Sequence, residues 1–272
     1  MPMVKEPSHF LESVIILAKE AGRRILEIYG TDFQVDIKDD NSPLTEADLA
    51  SHECLVNGLR ALHPSHPVIS EESATIALER RNGWKTCWMV DPLDGTKEFI
   101  KRNGEFTVNI ALLFDHEPVL GVVYAPVLDL CYFAAEACGA YKQTGSETPQ
   151  RIRVRRLDRS HVTVVGSRSH QTVPLMLYLS RLGDHQLRSM GSSLKLCLVA
   201  EGAADLYPRI GLTSEWDTAA AHCIVNEAGG KVTDLNGEEL RYNAREGFLN
   251  PYFLVFGDKS ADWFRYAEGI EG

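Results

Sequence analysis

The chain has 272 residues, 44% of them hydrophobic, and a formal net charge of −10 at pH 7. This length and apolar content are enough for a large core, formed either by one domain or by two fused halves. Because the excess charge is negative, the composition argues against a protein that binds nucleic acid or an anionic membrane through bulk charge.

The sequence also predicts the compartment. It contains no apolar run of about 18 residues, and its N-terminal segment lacks the apolar core of a signal peptide. We therefore expect a cytoplasmic protein, at most loosely associated with the inner face of the membrane. The cysteines are scattered without a Cys-x-x-Cys pair, which indicates reduced core residues rather than a disulfide framework or a zinc site. They are Cys54, Cys87, Cys131, Cys138, Cys197 and Cys223.

The first third of the chain predicts two helices. Apolar residues recur at helical spacing over residues 8–29, and a short strand is expected over residues 33–37. A second helix begins near Thr45 and ends before Pro64. Because Thr45 and Asp48 resemble a capping box, Asp48 considered alone is best interpreted as a helix-start carboxylate.

Acidic side chains follow two short apolar segments that are typical of buried strands. Residues 67–70 run into Glu71 and Glu72, and residues 87–90 run into Asp91. If the two strands are neighbours in one sheet, Glu71 and Asp91 leave it at the same edge. Taken separately, adjacent glutamates more often belong to a solvated loop.

The stretch from Asp91 to Thr96 is the centre of the predicted site. Pro92 cannot donate to a sheet ladder, so strand pairing should stop there. Gly95 can adopt a positive φ, so a tight turn follows Asp94. The two carboxylates then face one space, and oxygen ligands of this kind suit Mg²⁺, while backbone N–H groups at a helix start could hold a phosphate oxygen. Asp-Pro and Asp-Gly pairs are also common in ordinary turns, so this stretch alone leaves both interpretations open.

The middle of the chain predicts a large antiparallel sheet. Residues 106–114 and 119–127 read as two long strands joined by a turn at residues 116–118. Residues 130–141 continue as a third strand, so a meander is expected. The polar loop over residues 142–150 is the candidate boundary between two halves.

These halves are expected to differ in architecture. The N-terminal half, residues 1–145, would contain the large sheet and most candidate metal ligands. In the C-terminal half, residues 146–272, short strands alternate with helices, which is typical of a layered α/β arrangement. Asp217 lies near the start of one of these helices, where helix capping is the commonest role of an aspartate. The helices are predicted over residues 173–182, 194–207, 214–228 and 260–269.

Together the acidic segments resemble a known pattern. Its parts are Glu71-Glu72 after a strand, Asp91-Pro-Leu-Asp94-Gly-Thr96, and Trp216-Asp217 opening a helix that ends in Gly-Gly. Over nearly its whole length the chain is similar to the inositol monophosphatase superfamily of Mg²⁺-dependent, lithium-sensitive phosphatases. Within that superfamily it most resembles the bisphosphate nucleotidases. The matching segments are residues 90–109, 121–126, 166–170, 191–195 and 204–209.

The resemblance implies an α/β fold with layered α+β character, namely a five-layer αβαβα sandwich. It also implies hydrolysis of the 3'-phosphate of adenosine 3',5'-bisphosphate to AMP and phosphate, with the related phosphosulfate as a further substrate to consider. Such an enzyme would clear a by-product of sulfate assimilation. The implied cofactor is Mg²⁺, with two or three ions per site. The implied partner is the nucleotide substrate, bound by a monomer or a homodimer.

The resemblance also implies roles for individual residues. Asp48 and Thr96 would orient the attacking water, with Glu71 and Glu72 supporting the reaction. The implied metal ligands are Glu71, Asp91, the Leu93 carbonyl, Asp94 and Asp217. The implied substrate-binding residues are Glu71, Leu93, Asp94, Gly95, Thr96, His170, Ser192, Lys195, Arg209 and Asp217.

The nucleotide-binding part of this set has simpler explanations. Ser192 could be a helix N-cap, His170 a loop histidine and Arg209 a surface charge. Lys195 is the most informative of the group, because a cation in the first turn of a helix could meet the phosphate that does not react. The alternatives are an inositol-1-phosphatase or fructose-1,6-bisphosphatase with the same metal core, or a regulator that binds a phosphate ligand without catalysis.

Overall fold

The computed structural model describes residues 7–37, 43–73, 76–167 and 172–270. Within these ranges the helices are α1 (Leu11–Tyr29), α2 (Glu46–Leu62), α3 (Leu78–Arg81), α4 (Thr96–Ile100), α5 (Val173–Leu182), α6 (Leu194–Ala200) and α7 (Ala219–Glu227). Short 3-10 helices span Pro7–Phe10, Glu71–Ser73, Glu215–Asp217 and Phe264–Ala267. The strands are β1 (Val35–Ile37), β2 (Pro43–Thr45), β3 (Val68–Ser70), β4 (Thr86–Asp94), β5 (Thr107–Phe114), β6 (Glu117–Ala125), β7 (Leu130–Ala135), β8 (Gly139–Thr144), β9 (Gln150–Ile152), β10 (Thr163–Gly166), β11 (Gln186–Ser189), β12 (Leu206–Arg209), β13 (Lys231–Asp234) and β14 (Phe253–Phe256). In the described ranges no helix combines the length and apolarity that a membrane crossing requires.

Helical layers and sheets alternate through the molecule, which confirms the predicted αβαβα sandwich. Helices α1 and α2 cover one face of a seven-stranded sheet with the order β3-β4-β5-β6-β7-β8-β9. Helices α6 and α7 lie between this sheet and a five-stranded sheet with the order β11-β10-β12-β14-β13. Helix α5 and the 3-10 helix Phe264–Ala267 cover the outer face of the smaller sheet.

The two faces of the large sheet belong to different cores, because successive side chains of a strand alternate in direction. Trp88 and Val90 of β4 pack with α1 and α2, whereas Cys87 and Met89 pack on the side of α6 and α7. Both faces are therefore covered, which explains why β4 reads as a continuous apolar run in the sequence.

Helix α7 lies against β6 at Gly121. A Cβ atom on this glycine would be 2.0 Å from the Ala220 carbonyl oxygen, so only glycine permits this approach of helix and strand. The contact fixes the helix that follows Asp217 onto the sheet that carries Asp91.

Several predicted elements are confirmed closely. Helix α5 has the predicted bounds, and Thr45 and Asp48 form the predicted capping box at the start of α2. Strands β5 and β6 form the predicted hairpin, with the turn one step earlier at Asp115 and His116, where both φ angles are positive. The cysteines are free; five are buried, as expected of core residues, and Cys138 is exposed.

Two long elements were predicted wrongly because residues with positive φ interrupt them. Residues 130–141 form strands β7 and β8 rather than one strand, since the chain turns at Ala137 (φ 62°) and Gly139 (φ 83°). Residues 194–207 are not one helix. Helix α6 ends before Gly202, whose φ is 75°, and β12 follows.

The C-terminal helices are shorter than predicted. The segment 214–228 divides into the 3-10 helix Glu215–Asp217 and α7, and within 260–269 only the 3-10 helix Phe264–Ala267 forms. The predicted loop over residues 142–150 is shorter than expected, because residues 142–144 belong to β8 and residue 150 to β9, which still belongs to the large sheet. The chain changes sheets after β9, and the division into halves at residue 145 stays a prediction.

Candidate active site

The acidic residues after β3 and β4 emerge side by side. The two strands are parallel neighbours, and Ser70 pairs with Val90. Glu71 follows in the 3-10 helix Glu71–Ser73, and Asp91 follows in β4. The sequence-based expectation that Glu71 and Asp91 leave the sheet at one edge is therefore confirmed.

A β-bulge brings Asp91 and Asp94 into the same space. In a regular strand, residues three positions apart would point to opposite faces. Here Asp91 pairs with Asn109 and Asp94 with Thr107, so three steps along β4 match two along β5. The extra residue restores a common direction for the two carboxylates. The prediction that pairing ends at Pro92 was wrong, because the ladder resumes after the bulge.

Hydrogen bonds hold this bulge in shape. The Leu93 backbone N–H donates to Asp91 Oδ1 at 3.0 Å, and the Ser51 hydroxyl of α2 donates to the Pro92 carbonyl at 2.7 Å. The bulge is thus fixed both from inside and from the neighbouring helical layer.

One carboxylate oxygen of Asp94 is held by three donors. Asp94 Oδ2 lies 2.6 Å from the Ser193 backbone N, 2.6 Å from Ser193 Oγ and 3.3 Å from Asn109 Nδ2. Ser193 Oγ also lies 2.6 Å from the Asp217 carbonyl oxygen, and its single hydrogen serves one of these two acceptors at a time. Ser193 therefore ties Asp94 to the segment that carries Asp217.

Asp217 ends the 3-10 helix Glu215–Asp217, and its Oδ2 accepts the Ser214 backbone N–H at 3.0 Å. The aspartate thus performs a capping function, as its position in the sequence suggested. It also converges on the bulge, because single oxygens of Asp91, Asp94 and Asp217 all lie within 4.8 Å of one another.

These carboxylates oppose one another electrostatically. Burial raises the pKa of Asp91 well above its usual value, and the charges of Glu71, Asp94 and Asp217 raise it further. Burial also raises the pKa of Asp217, with Asp94 and Glu71 adding to the effect. Carboxylate oxygens from one buried and two half-buried side chains form the donor set that a hard divalent cation such as Mg²⁺ requires, so the residues present fit such an ion.

Asp48 has one carboxylate oxygen for the helix cap and one for the predicted contact with Thr96. Its Oδ2 accepts the Thr45 backbone N–H at 2.7 Å and the Thr45 hydroxyl at 2.6 Å, which caps α2. Its Oδ1 lies 3.3 Å from the Thr96 hydroxyl, whose single hydrogen serves either this oxygen or the Leu93 carbonyl at 3.4 Å. Capping one helix with one oxygen therefore leaves the other oxygen to orient Thr96.

A short helix begins beside the carboxylates. Gly95 has a φ of 95°, as the predicted turn requires, and α4 starts at Thr96. The first intrahelical bond runs from the Phe99 N–H to the Gly95 carbonyl at 2.9 Å. The preceding N–H groups have no acceptor within the helix, which is the usual arrangement for holding an anion.

The predicted residues surround one cleft with a volume of about 270 Å³. Within the described ranges, all of them line it except Asp48, which reaches it through Thr96, and Glu72. His170 lies outside the described residues. Those that line it are Glu71, Asp91, Leu93, Asp94, Gly95, Thr96, Ser192, Lys195, Arg209 and Asp217.

Two cations, Lys195 and Arg209, also line the cleft. Lys195 is buried, its Nζ donates to the Ser192 carbonyl at 2.6 Å, and it lies 5.6 Å from the centroid of the Tyr207 ring. Arg209 donates to the Thr213 hydroxyl within its own loop. Both side chains are thus held in place in the lining of the cleft that the carboxylates share.

A model of the inositol monophosphatase family matches residues 6–259. The chain belongs to this family.

Similar proteins in the family include bisphosphate nucleotidases. The 3'(2'),5'-bisphosphate nucleotidase CysQ of Salmonella typhimurium is 53% identical over 253 residues, which cover 90% of this chain and 98% of that protein. The protein of the same name from Haemophilus influenzae is 39% identical, with 94% and 95% covered. The crystal structure of CysQ from Bacteroides thetaiotaomicron has a TM-score of 0.80 and 46% identity, with 90% of this chain and 96% of that chain covered.

Sequence reasoning missed two residues that hold the Asp94 carboxylate in place, Asn109 and Ser193. Asn109 is a buried polar residue in an otherwise apolar strand, and such residues nearly always have a hydrogen-bonding task. That signal could have identified it. Ser193 follows Ser192, and the sequence offers no means to tell which of the two hydroxyls faces Asp94.

Proposed function

We propose that this protein is a Mg²⁺-dependent bisphosphate nucleotidase that removes the 3'-phosphate of adenosine 3',5'-bisphosphate to give AMP and phosphate. The observation that carries the proposal is the convergence of Asp91, Asp94 and Asp217 within 4.8 Å beside the start of a helix. The extensive identity to proteins named 3'(2'),5'-bisphosphate nucleotidase supports the choice of substrate. Its role is to clear this nucleotide in sulfur assimilation, and the corresponding phosphosulfate is a second substrate.

Two or three Mg²⁺ ions would be bound at the site through oxygen ligands. These are the carboxylates of Glu71, Asp91, Asp94 and Asp217 and the carbonyl of Leu93. When bound, Mg²⁺ neutralises the phosphate, lowers the pKa of a water and stabilises the departing alkoxide. Bulk composition agrees with a local metal, because a chain of net charge −10 needs local cations to attract a phosphate.

The chain's own groups orient the reactants. When the Thr96 hydroxyl donates to Asp48 Oδ1, its oxygen is left as an acceptor and can hold a water hydrogen. This pair positions the attacking water, with Glu71 and Glu72 supporting it. The backbone N–H groups of Gly95 and Thr96 hold phosphate oxygens in line with that water.

Substrate choice rests on the two cations that line the cleft. Lys195 is placed to meet the 5'-phosphate, which does not react, and Ser192 and Arg209 line the space beside it. His170 completes the proposed set. An enzyme that acts on inositol monophosphate needs no such second phosphate site, so these two cations favour a bisphosphate.

The first experiment compares phosphate release from three substrates: adenosine 3',5'-bisphosphate, inositol 1-phosphate and fructose 1,6-bisphosphate. We expect the nucleotide to have the highest kcat/KM, to require Mg²⁺ and to lose activity in lithium. A higher kcat/KM for either of the other two substrates would contradict the proposal and favour the corresponding phosphatase.

A second experiment tests Lys195. Lys195→Met should raise KM for the bisphosphate but leave the cleavage of 3'-AMP, which lacks the 5'-phosphate, nearly unchanged. Lys97→Met is the matched control, because Lys97 lines the same cleft but is exposed on α4. Equal losses on both substrates would contradict the assigned contact.

A further inference from the structure

A second cleft lies at the far end of the large sheet from Asp94. The first residue of β5 pairs with Asp94, and the last residue of β5 leads into the turn to β6. The second cleft lies where β6 begins, so the length of β5 separates it from Asp94. It has a volume of about 120 Å³ between the ends of β6 and β7 and the second half of α7. The polar residues that line it are Glu117, Glu136, His222, Asn226, Glu227 and Glu239.

Two buried polar atoms of α7 lack partners in this cleft. The His222 side chain is 1% exposed, and its Nδ1 lies 2.8 Å from the Tyr242 hydroxyl. Among the described residues, neither His222 Nε2 nor Asn226 Oδ1 has a hydrogen-bond partner. The two residues are four positions apart on one face of a helix, so their side chains are neighbours. Leaving two such atoms unsatisfied would cost about 1–3 kcal/mol each, which indicates that something binds them.

The rim of the cleft adds one available negative charge. Glu117 and Glu239 are each engaged in an ion pair, and Glu227 accepts two backbone N–H bonds. The Glu136 side chain is exposed, and its carboxylate forms no hydrogen bond or ion pair with the rest of the described chain. Glu136 is thus the acidic group that can turn towards a ligand.

We propose that this cleft binds a divalent transition-metal ion through His222 Nε2, Asn226 Oδ1 and the Glu136 carboxylate. An imidazole nitrogen combined with oxygen donors suits ions such as Co²⁺ and Zn²⁺, whereas Mg²⁺ prefers oxygen alone. Coordination through Nε2 requires the tautomer in which Nδ1–H donates to the Tyr242 oxygen. That outer hydrogen bond is the usual means of orienting a histidine ligand.

The site is not fully assembled without the ion. In the described part of the chain, only Asp91, Asp94 and Asp217 bring three acidic, histidine or cysteine ligand atoms within 4.8 Å. At the second cleft, His222 and Asn226 are fixed by α7, and the exposed side chain of Glu136 completes the set by rotating. The remaining volume accommodates water as further ligands.

The test uses the full chain in excess Mg²⁺, which competes for the acidic cleft, and Co²⁺ as the probe. Equilibrium dialysis and the visible spectrum of Co²⁺ should show one ion per chain with nitrogen coordination. Asn226→Leu and His222→Gln should weaken this binding at least about tenfold, since even outer partners of metal ligands contribute that much. Asp91→Asn should retain it, which separates this site from the acidic cleft and from the proposed function.

Asn226→Leu also distinguishes the loss of Co²⁺ binding from a loss of folding. It removes a buried unpartnered oxygen, so without Co²⁺ it should melt no lower than the wild type, and it should lose the rise in melting temperature that Co²⁺ gives the wild type. Equal Co²⁺ binding by wild type and Asn226→Leu would overturn the proposal. Absence of Co²⁺ binding to the wild type in excess Mg²⁺ would also overturn it, and would leave water as the partner of the two atoms.

Discussion

Replacing Asp91 by Asn should make the metal-free protein more stable while removing its activity. Asp91 is 1% exposed, and oxygens of Asp94 and Asp217 lie within 4.8 Å of its own. At that separation and an effective dielectric constant of about 20, two full charges repel by about 3.5 kcal/mol. Asn keeps the shape of the side chain and an oxygen that can accept the Leu93 N–H.

The net gain in the free energy of unfolding should be smaller than the sum of the repulsions between Asp91 and its two neighbours. Burial and the neighbouring carboxylates raise the pKa of Asp91, and any proton that the metal-free cluster takes up would relieve part of the repulsion in the wild type. We therefore expect Asp91→Asn to raise the free energy of unfolding by about 1–3 kcal/mol in chelator, which corresponds to a few degrees in Tm. In excess Mg²⁺ the order should reverse, because the wild type gains binding free energy that the variant cannot.

The measurement is thermal unfolding in chelator and in Mg²⁺. Asp184→Asn is the matched control, since Asp184 is exposed and does not line the acidic cleft, and it should shift neither curve. If Asp91→Asn melts below the wild type in chelator, mutual repulsion does not dominate the metal-free site, and the reasoning fails.

Two further predictions concern the support of the site and the dependence on pH. Ser193→Ala removes a hydroxyl 2.6 Å from Asp94 Oδ2, a hydrogen bond to a charged group worth about 1.5–3 kcal/mol, so the Mg²⁺ concentration for half-maximal phosphate release should rise about tenfold to hundredfold. Burial, with the neighbouring His63 adding to it, lowers the pKa of His66 to about 4. A histidine with a lowered folded pKa gives full stability above the unfolded value of about 6.5 and loses it as pH falls towards 4. Because this ring is partly exposed, we expect a loss of only about 1 kcal/mol between pH 7 and pH 5, measured by urea unfolding, and His66→Gln should reduce it.

Each of these predictions has a neighbouring control. Ser192→Ala removes the adjacent hydroxyl, which accepts the Leu194 N–H rather than donating to Asp94. An equal change in Mg²⁺ dependence in this variant would contradict the role of Ser193. His161→Gln removes a histidine that is 85% exposed and should leave the pH dependence unaltered. A pH dependence that His66→Gln leaves intact would show that another group is responsible.

The sequence predicted which acidic residues converge better than it predicted the bounds of the elements around them. Two short apolar runs indicated that Glu71 and Asp91 each follow a strand, and the two residues could be placed together on the condition that these strands are neighbours. The structure shows them to be parallel neighbours. The bulge could not be foreseen, since Pro92 removes a donor but does not reveal whether pairing resumes beyond it. The predicted strand and helix that pass through Ala137 and Gly202 were too long for a related reason. A residue with positive φ ends an element without changing the hydrophobic pattern of the sequence around it.

The dual use of Asp48 shows a different limit. From the sequence, a capping role and a role beside Thr96 were competing interpretations, and the capping role had the better support. In the structure each oxygen of the carboxylate serves one of them. Sequence patterns assign tasks to residues, whereas the geometry assigns them to atoms.

The packing of α7 against Gly121 has a consequence for how the chain can be divided. The helix is encoded in the last quarter of the sequence, yet its binding surface is the inner face of a sheet completed by residue 152. A polypeptide cut in the connection before β10 would yield two fragments. Each would expose the apolar surface that the other covers in the intact protein, so neither would be expected to fold stably alone. Their reunion, rather than the folding of either piece, would create the pocket of carboxylates.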